Sequence, residues 1–154
     1  MAIESWVREL IEVRPIRDEE FEVIAKFTPP ERVATLHCHP TLVLEQDGEI
    51  IGSTSISISI ATDRDFQTKG AEVAYGHGVS VDPAHRGQGW GWILADGRHT
   101  VLKRLGIGFF MGFTQPGNTA MEAIFTRQGL TFHTRLAHIY PDGSDGLMYT
   151  GGVR

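Results

Sequence analysis

The chain is poor in cysteine, in basic charge and in long apolar runs, and each shortage excludes a class of protein. Cys38 is the single cysteine of 154 residues, so no internal disulfide is expected and nothing suggests an oxidising compartment. Nineteen Asp and Glu against 14 Lys and Arg give a net charge of −5, which argues against nucleic-acid binding. No apolar stretch approaches the roughly 18 residues of a membrane span, and the acidic N-terminus is unlike a secretory signal. We therefore expect a cytoplasmic protein that binds neither nucleic acid nor membrane.

Glycine is also scarce in the first fifty residues, where only Gly48 occurs, while the other 17 of 18 glycines follow it. Residues 1–50 carry 11 acids and 5 Lys or Arg (charge −6), and residues 51–154 carry 8 acids and 9 Lys or Arg (charge +1). An acidic first part attracts cations, and a glycine-rich second part lets an anionic ligand approach the backbone. A solvated acidic helix and ordinary turn glycines explain the same counts, and on the counts alone we prefer that explanation.

Apolar periodicity and turn residues predict one domain in which strands and helices alternate. Strands are predicted over 10–14, 41–45, 49–60, 72–81, 107–113, 130–140 and 147–150. Helices are predicted after Asp18, over 31–36, over 89–105, and between Asn118 and Gly129, with a polar loop over 63–70. This order predicts an α/β (α+β) fold in which helices flank a mixed sheet. Gly97, inside the helix over 89–105, has no explanation at this level.

The most informative segment joins the strand over 72–81 to the following helix. It reads Val79-Ser-Val-Asp-Pro-Ala-His-Arg-Gly-Gln-Gly-Trp-Gly91. A loop with alternating glycines at the start of a helix presents backbone N–H groups to phosphate oxygens. A dinucleotide fingerprint is excluded because Trp92 or Leu94 stands at its sixth position, and a Walker P-loop lacks its Gly-Lys-Ser/Thr.

The remaining pattern, Arg-x-x-Gly-x-Gly at Arg86, Gly89 and Gly91, resembles the pyrophosphate loop of the GNAT superfamily of acetyl-CoA-dependent N-acetyltransferases. The Val-x-Val strand end before Asp82 and the segment from Asn118 to Leu130 are similar to that family's fourth strand and its other CoA-contacting helix. The resemblance covers roughly residues 10–140. It implies a single GNAT domain over 1–154, with a central, mostly antiparallel sheet whose parallel fourth and fifth strands splay apart.

The resemblance also implies a co-substrate, acetyl-CoA, and a place for it along the strand end and the glycine loop. The residues expected to contact it are Val79, Ser80, Val81, Arg86, Gly87, Gln88, Gly89, Trp90, Gly91, Asn118 and Phe125. No metal is expected, because His37-Cys38-His39 has no second cysteine and the other histidines show no paired ligand spacing.

His77 and Tyr75 are the candidate catalytic residues. In a regular strand they share one face with Val79. By the resemblance, Tyr75 occupies the general-base position of histone-acetylating relatives, and Tyr75 with His77 matches a paired-histidine proton route of serotonin-acetylating ones. A histidine with a pKa of about 6.5 accepts a proton from an ammonium near neutral pH. The structural alternative is a buried strand histidine hydrogen-bonded to Tyr75 or to the backbone.

Phe125 departs from the family, many of whose members carry a tyrosine there that protonates the departing thiolate. Water or Tyr140 takes that role here, or the role is unnecessary, because a thiol with a pKa of about 8.5 is a tolerable leaving group.

The sequence thus predicts transfer of the acetyl group of acetyl-CoA to a primary amine by direct attack in a ternary complex. A small cationic amine is the favoured acceptor, and a peptide or protein amine is the alternative. A non-catalytic acyl-CoA-binding module remains a rival, whereas a serine hydrolase is disfavoured because Gly78-Val-Ser80 lacks the last glycine of its motif. A homodimer is compatible with these features, and which amine is acetylated is not determined.

Overall fold

A computed structural model describes residues 11–34, 36–60 and 72–153. Within these residues, seven strands form one sheet in the order β1-β2-β3-β4-β5-β7-β6. The strands are β1 (Ile11–Pro15), β2 (Thr41–Gln46), β3 (Glu49–Ile60), β4 (Glu72–Val81), β5 (Phe109–Thr114), β6 (Thr131–Leu136) and β7 (Gly146–Gly152). The predicted loop over 63–70 lies outside the described residues.

The helices are α1 (Phe21–Ala25), α2 (Pro30–Val33), α3 (Trp90–Arg104) and α4 (Thr119–Arg127). Single turns of 3-10 helix cover Asp18–Glu20, Leu36–Cys38 and Pro83–His85. None of the described helices is both long and apolar enough to cross a membrane.

The sheet is mixed, as predicted. β1 and β2, β2 and β3, β5 and β7, and β6 and β7 are antiparallel pairs, whereas β4 and β5 are parallel. The parallel pairing runs only from Val73–Phe109 to Tyr75–Met111, although β4 continues to Val81. The predicted α/β fold with splayed fourth and fifth strands is therefore confirmed.

Local signals explain the best-predicted elements. Asp47 and Gly48 both have positive φ, 52° and 82°, as a two-residue hairpin turn between β2 and β3 requires. Asn118 caps α4, since its side chain accepts a hydrogen bond from the Met121 N–H at 3.1 Å. Gly129, with φ of 78°, ends the same helix.

The chain forms two compact units, and the expectation of a single domain over 1–154 stays a prediction. The first unit contains residues 1–55 and 79–98, and the second contains residues 56–78 and 99–154. In the first unit, one core cluster lies around α1 and is formed by Ile24, Phe27, Leu36, Val43 and Ile50. A second cluster joins Leu44 and Ile51 to Leu94 of α3, with Val79 and Trp90 packed against it.

In the second unit, the main core joins Ile56 of β3 and Ala74 of β4 to Leu102 of α3 and Phe125 of α4. A smaller cluster contains Val73, Met111 and Met148, and Tyr75 packs against it. Strands in this unit thus have apolar side chains on both faces.

Three predicted boundaries change because of how the helices end. The helix predicted to run to Leu105 ends at Arg104, and Leu105 is 57% exposed. The N–H of Ile107 bonds to Leu102 O at 3.0 Å and closes the helix, so β5 begins only at Phe109. The N–H of Leu130 closes α4 on Phe125 O in the same way, and β6 therefore begins at Thr131.

Candidate functional site

The loop between β4 and α3 has the backbone conformation of an anion-binding turn. Gly87 and Gly89 have φ of +79° and +86°, and a Cβ built at either glycine meets no atom within 4 Å. α3 begins directly after this loop at Trp90, spans 15 residues, and has no acidic residue in its first turn. The segment Gly87–Gly91 therefore combines open space with a positive helix end, as an anion site requires, and its contact with the pyrophosphate of CoA stays a prediction.

Side chains next to the loop hold it in place. Arg86 Nε donates to Val81 O at 3.0 Å, and Trp90 Nε1 donates to Gln88 Oε1 at 3.2 Å. Asp82 caps the 3-10 turn by accepting from the Ala84 N–H at 3.0 Å. Arg86, Gln88 and Trp90, which are predicted to contact CoA, therefore also stabilise the conformation of the loop.

The side chains at the end of β4 are engaged within the protein. Ser80 is only 7% exposed, and its Oγ accepts a hydrogen bond from Arg32 Nη2 at 2.9 Å. Val79 packs against the cluster of Leu44, Ile51 and Leu94. The backbone of Val79–Val81 is therefore the part of this strand end that remains as a candidate contact for the pantetheine arm.

The alternation of β4 changes phase at Gly78. Ala74 belongs to a cluster that contains Leu102 of α3, and Val79 packs against a cluster that contains Leu94 of the same helix. Residues 74 and 79 would lie on opposite faces of a regular strand, so one residue between them interrupts the alternation. Gly78, with φ of 94°, is that residue. The expectation that Val79 shares a face with Tyr75 and His77 is therefore wrong.

His77 is hydrogen-bonded to a serine that sequence reasoning did not identify. Its Nε2 lies 2.7 Å from Ser57 Oγ, and both side chains are partly buried. Ser57 follows Ile56, a residue of the cluster that includes Leu102, so Ser57 and His77 lie on the sheet face directed away from α3. The only available signal was a run of alternating serines in β3, which does not show which serine pairs with which residue of β4.

Either tautomer of His77 fits this contact. If Nε2 carries the proton it donates to Ser57, and Nδ1 is then the ring atom that holds the basic lone pair. If Nε2 is unprotonated it accepts from the Ser57 hydroxyl, which then forms a relay to the ring. Tyr75, the other catalytic candidate, packs against Val73, Met111 and Met148.

Phe125 lies in the core. Its ring is 2% exposed, and its centroid is 5.2 Å from that of Tyr149. A Cβ built at Gly112 would lie 2.5 Å from Phe125 Cζ, so the end of the ring abuts that glycine. The predicted contacts of Phe125 and Asn118 with CoA stay predictions.

Arg14 neutralises two acids of the negatively charged first part. Its Nη2 is 2.7 Å from Glu20 Oε2, and its Nε is 2.8 Å from Glu45 Oε2. The hydrogen bond from Arg14 lowers the pKa of Glu20 from 4.5 to about 2. These two carboxylates are therefore committed to an internal ion pair and add little to attraction of a cationic ligand.

His37 and Cys38 are exposed, as expected for surface residues, and the His37 ring lies against Phe21 with centroids 3.9 Å apart.

A model of the acetyltransferase (GNAT) family matches residues 7–130. The chain belongs to this family. The GNAT resemblance and the enzyme class, an acetyl-CoA-dependent N-acetyltransferase, are thereby confirmed. No curated protein sequence matched the chain.

Solved structures of GNAT proteins share the fold. A chain of the NatC complex bound to Gag peptide and CoA has a TM-score of 0.78 at 16% identity, over 94% of this chain and 99% of that one. The ribosomal-protein-S18-alanine N-acetyltransferase from Escherichia coli has a TM-score of 0.75 at 17% identity, with 93% and 94% covered. Arabidopsis thaliana NAA60 in complex with acetyl-CoA has a TM-score of 0.74 at 14% identity, with 93% and 98% covered.

Proposed function

We propose that this GNAT protein acetylates a primary amine and that His77 accepts the proton that the amine loses. The observation that carries the proposal is the 2.7 Å hydrogen bond between Ser57 Oγ and His77 Nε2. This bond orients the imidazole on the face of β4 that points away from α3. A histidine held in this way by a hydroxyl is positioned to work as a general base near neutral pH.

The chain's residues divide the proposed reaction between them. The glycine loop, Gly87–Gly91, binds the pyrophosphate of acetyl-CoA, and backbone N–H groups of Val79–Val81 polarise the thioester carbonyl. The amine nitrogen bonds to the acetyl carbon while the carbon–sulfur bond breaks. Before this attack one ammonium proton passes to His77, directly or through Ser57, so that the nitrogen is neutral. After it, a second N–H proton passes through water to the departing thiolate.

The proposed acceptor is a small cationic amine. The charge of −6 over residues 1–50 supports it, since an acidic surface attracts cations. Arg14 neutralises Glu20 and Glu45, but Asp18 and Glu19 before α1 and Glu22 within it are exposed, so they outnumber the exposed Arg17 and Lys26.

A peptide N-terminus is the second candidate acceptor, because it is also a primary ammonium. Two structures with the same fold favour it: one is a complex bound to Gag peptide, and the other is a ribosomal-protein-alanine N-acetyltransferase.

Thiol release from acetyl-CoA over an acceptor panel tests these proposals. The panel contains a polyamine, neutral and acidic amino acids, a peptide with a free N-terminus and the same peptide with a blocked one. Release that depends on the polyamine supports the proposed function, and release that depends on the free N-terminus supports the second candidate. Release without any amine would indicate a hydrolase, and binding of acetyl-CoA without release would indicate a non-catalytic module.

A further inference from the structure

Three side chains with metal-ligating atoms converge where β4 ends, and none of them is assigned to acetyl-CoA. Glu49, Asp82 and His85 each offer one ligand atom, and these atoms lie within 4.8 Å of one another. His85 Nε2 is 3.6 Å from Glu49 Oε1. The Glu49 side chain is 66% exposed and that of His85 is 24% exposed, so an ion can reach the cluster from solvent.

The fold holds the three residues together although they are distant in sequence. The Asp82 N–H donates to Ile51 O at 2.8 Å, which ties the end of β4 to the beginning of β3, where Glu49 lies. Asp82 is the N-cap of the 3-10 turn Pro83–His85. The His85 N–H donates to Asp82 O at 2.8 Å, which closes this turn and keeps the two residues close together. The cluster is thus preorganised by backbone hydrogen bonds and does not depend on an ion to form.

The donor set selects the kind of ion. One imidazole with two carboxylates suits Zn²⁺ and neighbouring transition ions better than Mg²⁺ or Ca²⁺, which take oxygen ligands alone. Ligands of a tetrahedral Zn²⁺ with bonds of about 2.0–2.1 Å lie roughly 3.3 Å apart. The distance of 3.6 Å between His85 Nε2 and Glu49 Oε1 is already close to this value. The Asp82 carboxylate lies within 4.8 Å of both atoms, and a small side-chain rotation brings it to the same ion.

We propose that Glu49, Asp82 and His85 bind a divalent transition ion, with water completing the coordination. The bound ion would join the beginning of β3 to the turn that precedes the glycine loop. Its role is structural, because it cross-links two chain segments and takes no part in acetyl transfer. The proposal is therefore independent of the proposed function. The expectation of no metal considered only cysteine and histidine spacing, which does not detect a carboxylate contributed by another strand.

Calorimetric titration of the whole protein with Zn²⁺ tests the site, and Co²⁺ absorption reports whether an imidazole is a ligand. His37-Cys38-His39 is a competing surface site, so all measurements use a Cys38→Ser, His37→Gln background. We expect one equivalent of Zn²⁺ to bind and to raise Tm. His85→Gln and Glu49→Gln should each weaken binding at least tenfold, because even loss of an outer partner of a ligand costs about 10–100-fold. Asp47→Asn is the matched control, since it removes an exposed acid from the same hairpin without touching the cluster.

Tm and circular dichroism without metal show whether each variant is folded. Folded His85→Gln and Glu49→Gln proteins that bind Zn²⁺ as tightly as the background would overturn the proposal. A background protein without saturable binding would overturn it as well. If Asp47→Asn weakens binding as much as Glu49→Gln does, the effect is general surface charge and the proposal is wrong.

Discussion

Gly97 of α3 lies directly against the side chain of Val13 in β1. A Cβ built at Gly97 would be 2.7 Å from Val13 Cβ and from its Cγ2. Glycine in a helix interior costs about 1 kcal/mol relative to alanine, so the helix gives up intrinsic stability at this position. The close approach of β1 to α3 explains why it does so.

We expect Gly97→Ala to lower the free energy of unfolding by about 1–3 kcal/mol in spite of the better helix propensity, because the new methyl group overpacks the contact. Val13→Ala in the same chain should restore part of the loss, since it removes Cγ1 and Cγ2, while the Cβ that remains keeps part of the overlap. Urea unfolding of the two single variants and the double variant measures this as a coupling energy. Additive effects, or a Gly97→Ala protein more stable than wild type, would show that contact with Val13 is not the reason for glycine at this position.

The glycine loop can be tested separately from catalysis. Acetyl-CoA should stabilise the wild type thermally, by about 2.7 kcal/mol at a hundredfold excess over Kd. Gly89→Glu should abolish this shift, because it places a carboxylate where phosphate oxygens are expected. Gly143→Glu is the matched control: Gly143 has φ of +82° and equally open surroundings, so it carries the same backbone strain. Loss of the shift in both variants would mean that strain, not the anion site, is responsible.

His77 and Ser57 together predict a kinetic pattern. His77→Gln should lower kcat/KM on the order of 10²–10⁴-fold, the usual contribution of a positioned base, while acetyl-CoA still stabilises the protein. The wild-type kcat/KM should rise with pH as the base loses its proton, and the loss in His77→Gln should shrink at high pH, where the amine arrives deprotonated.

Ser57→Ala should lower kcat by roughly fivefold to tenfold, since a net hydrogen bond contributes about 1 kcal/mol, and should alter the same pH profile. Ser59→Ala is its control, because Ser59 is exposed on the same strand. Equal activity and pH profile in the two serine variants would remove Ser57 from the mechanism.

The Arg14–Glu20 pair predicts how stability depends on pH. The folded protein lowers the pKa of Glu20 from 4.5 to about 2, so the stabilisation is fully present above pH 4.5 and is lost as the pH falls towards 2. Glu20→Gln should lower the free energy of unfolding by about 1.5–3 kcal/mol at pH 7 and flatten its decline over this interval. Glu22→Gln, a change at a nearby exposed acid, should leave the curve nearly unchanged. Parallel curves for wild type and Glu20→Gln would contradict the ion-pair explanation.

The sequence predicts elements whose signals are local. β4 was predicted over 72–81 with its observed bounds, because Asp82-Pro83 stops the strand. The caps at Asn118 and Gly129 and the hairpin turn at Asp47-Gly48 were found for the same reason. The glycine loop could be predicted because all of its residues lie in one continuous segment of the sequence.

Features that depend on distant parts of the chain were not predicted. Arg98 in α3 is 1% exposed and donates to Thr54 Oγ1 at 3.0 Å, and burial lowers its pKa to about 10. A helical pattern assigns an arginine such as Arg98 to the solvent side of the helix. The pattern cannot show that a buried hydroxyl on β3 accepts a hydrogen bond from it. The partners of Gly97 and His77 were missed similarly, since strand register and helix docking decide them.

The phase change at Gly78 leaves the side chains of β4 in the alternation that a strand without this residue would have. His77 is directed away from α3 and Val79 towards it, as two consecutive residues of a regular strand would be. A chain from which Gly78 was deleted could therefore keep each remaining side chain of β4 on its present face. The deletion would remove only the residue that interrupts this alternation. Gly78 is thus dispensable for the core. If the acyl arm binds beside this strand as we propose, its deletion should weaken acetyl-CoA binding while the protein stays folded.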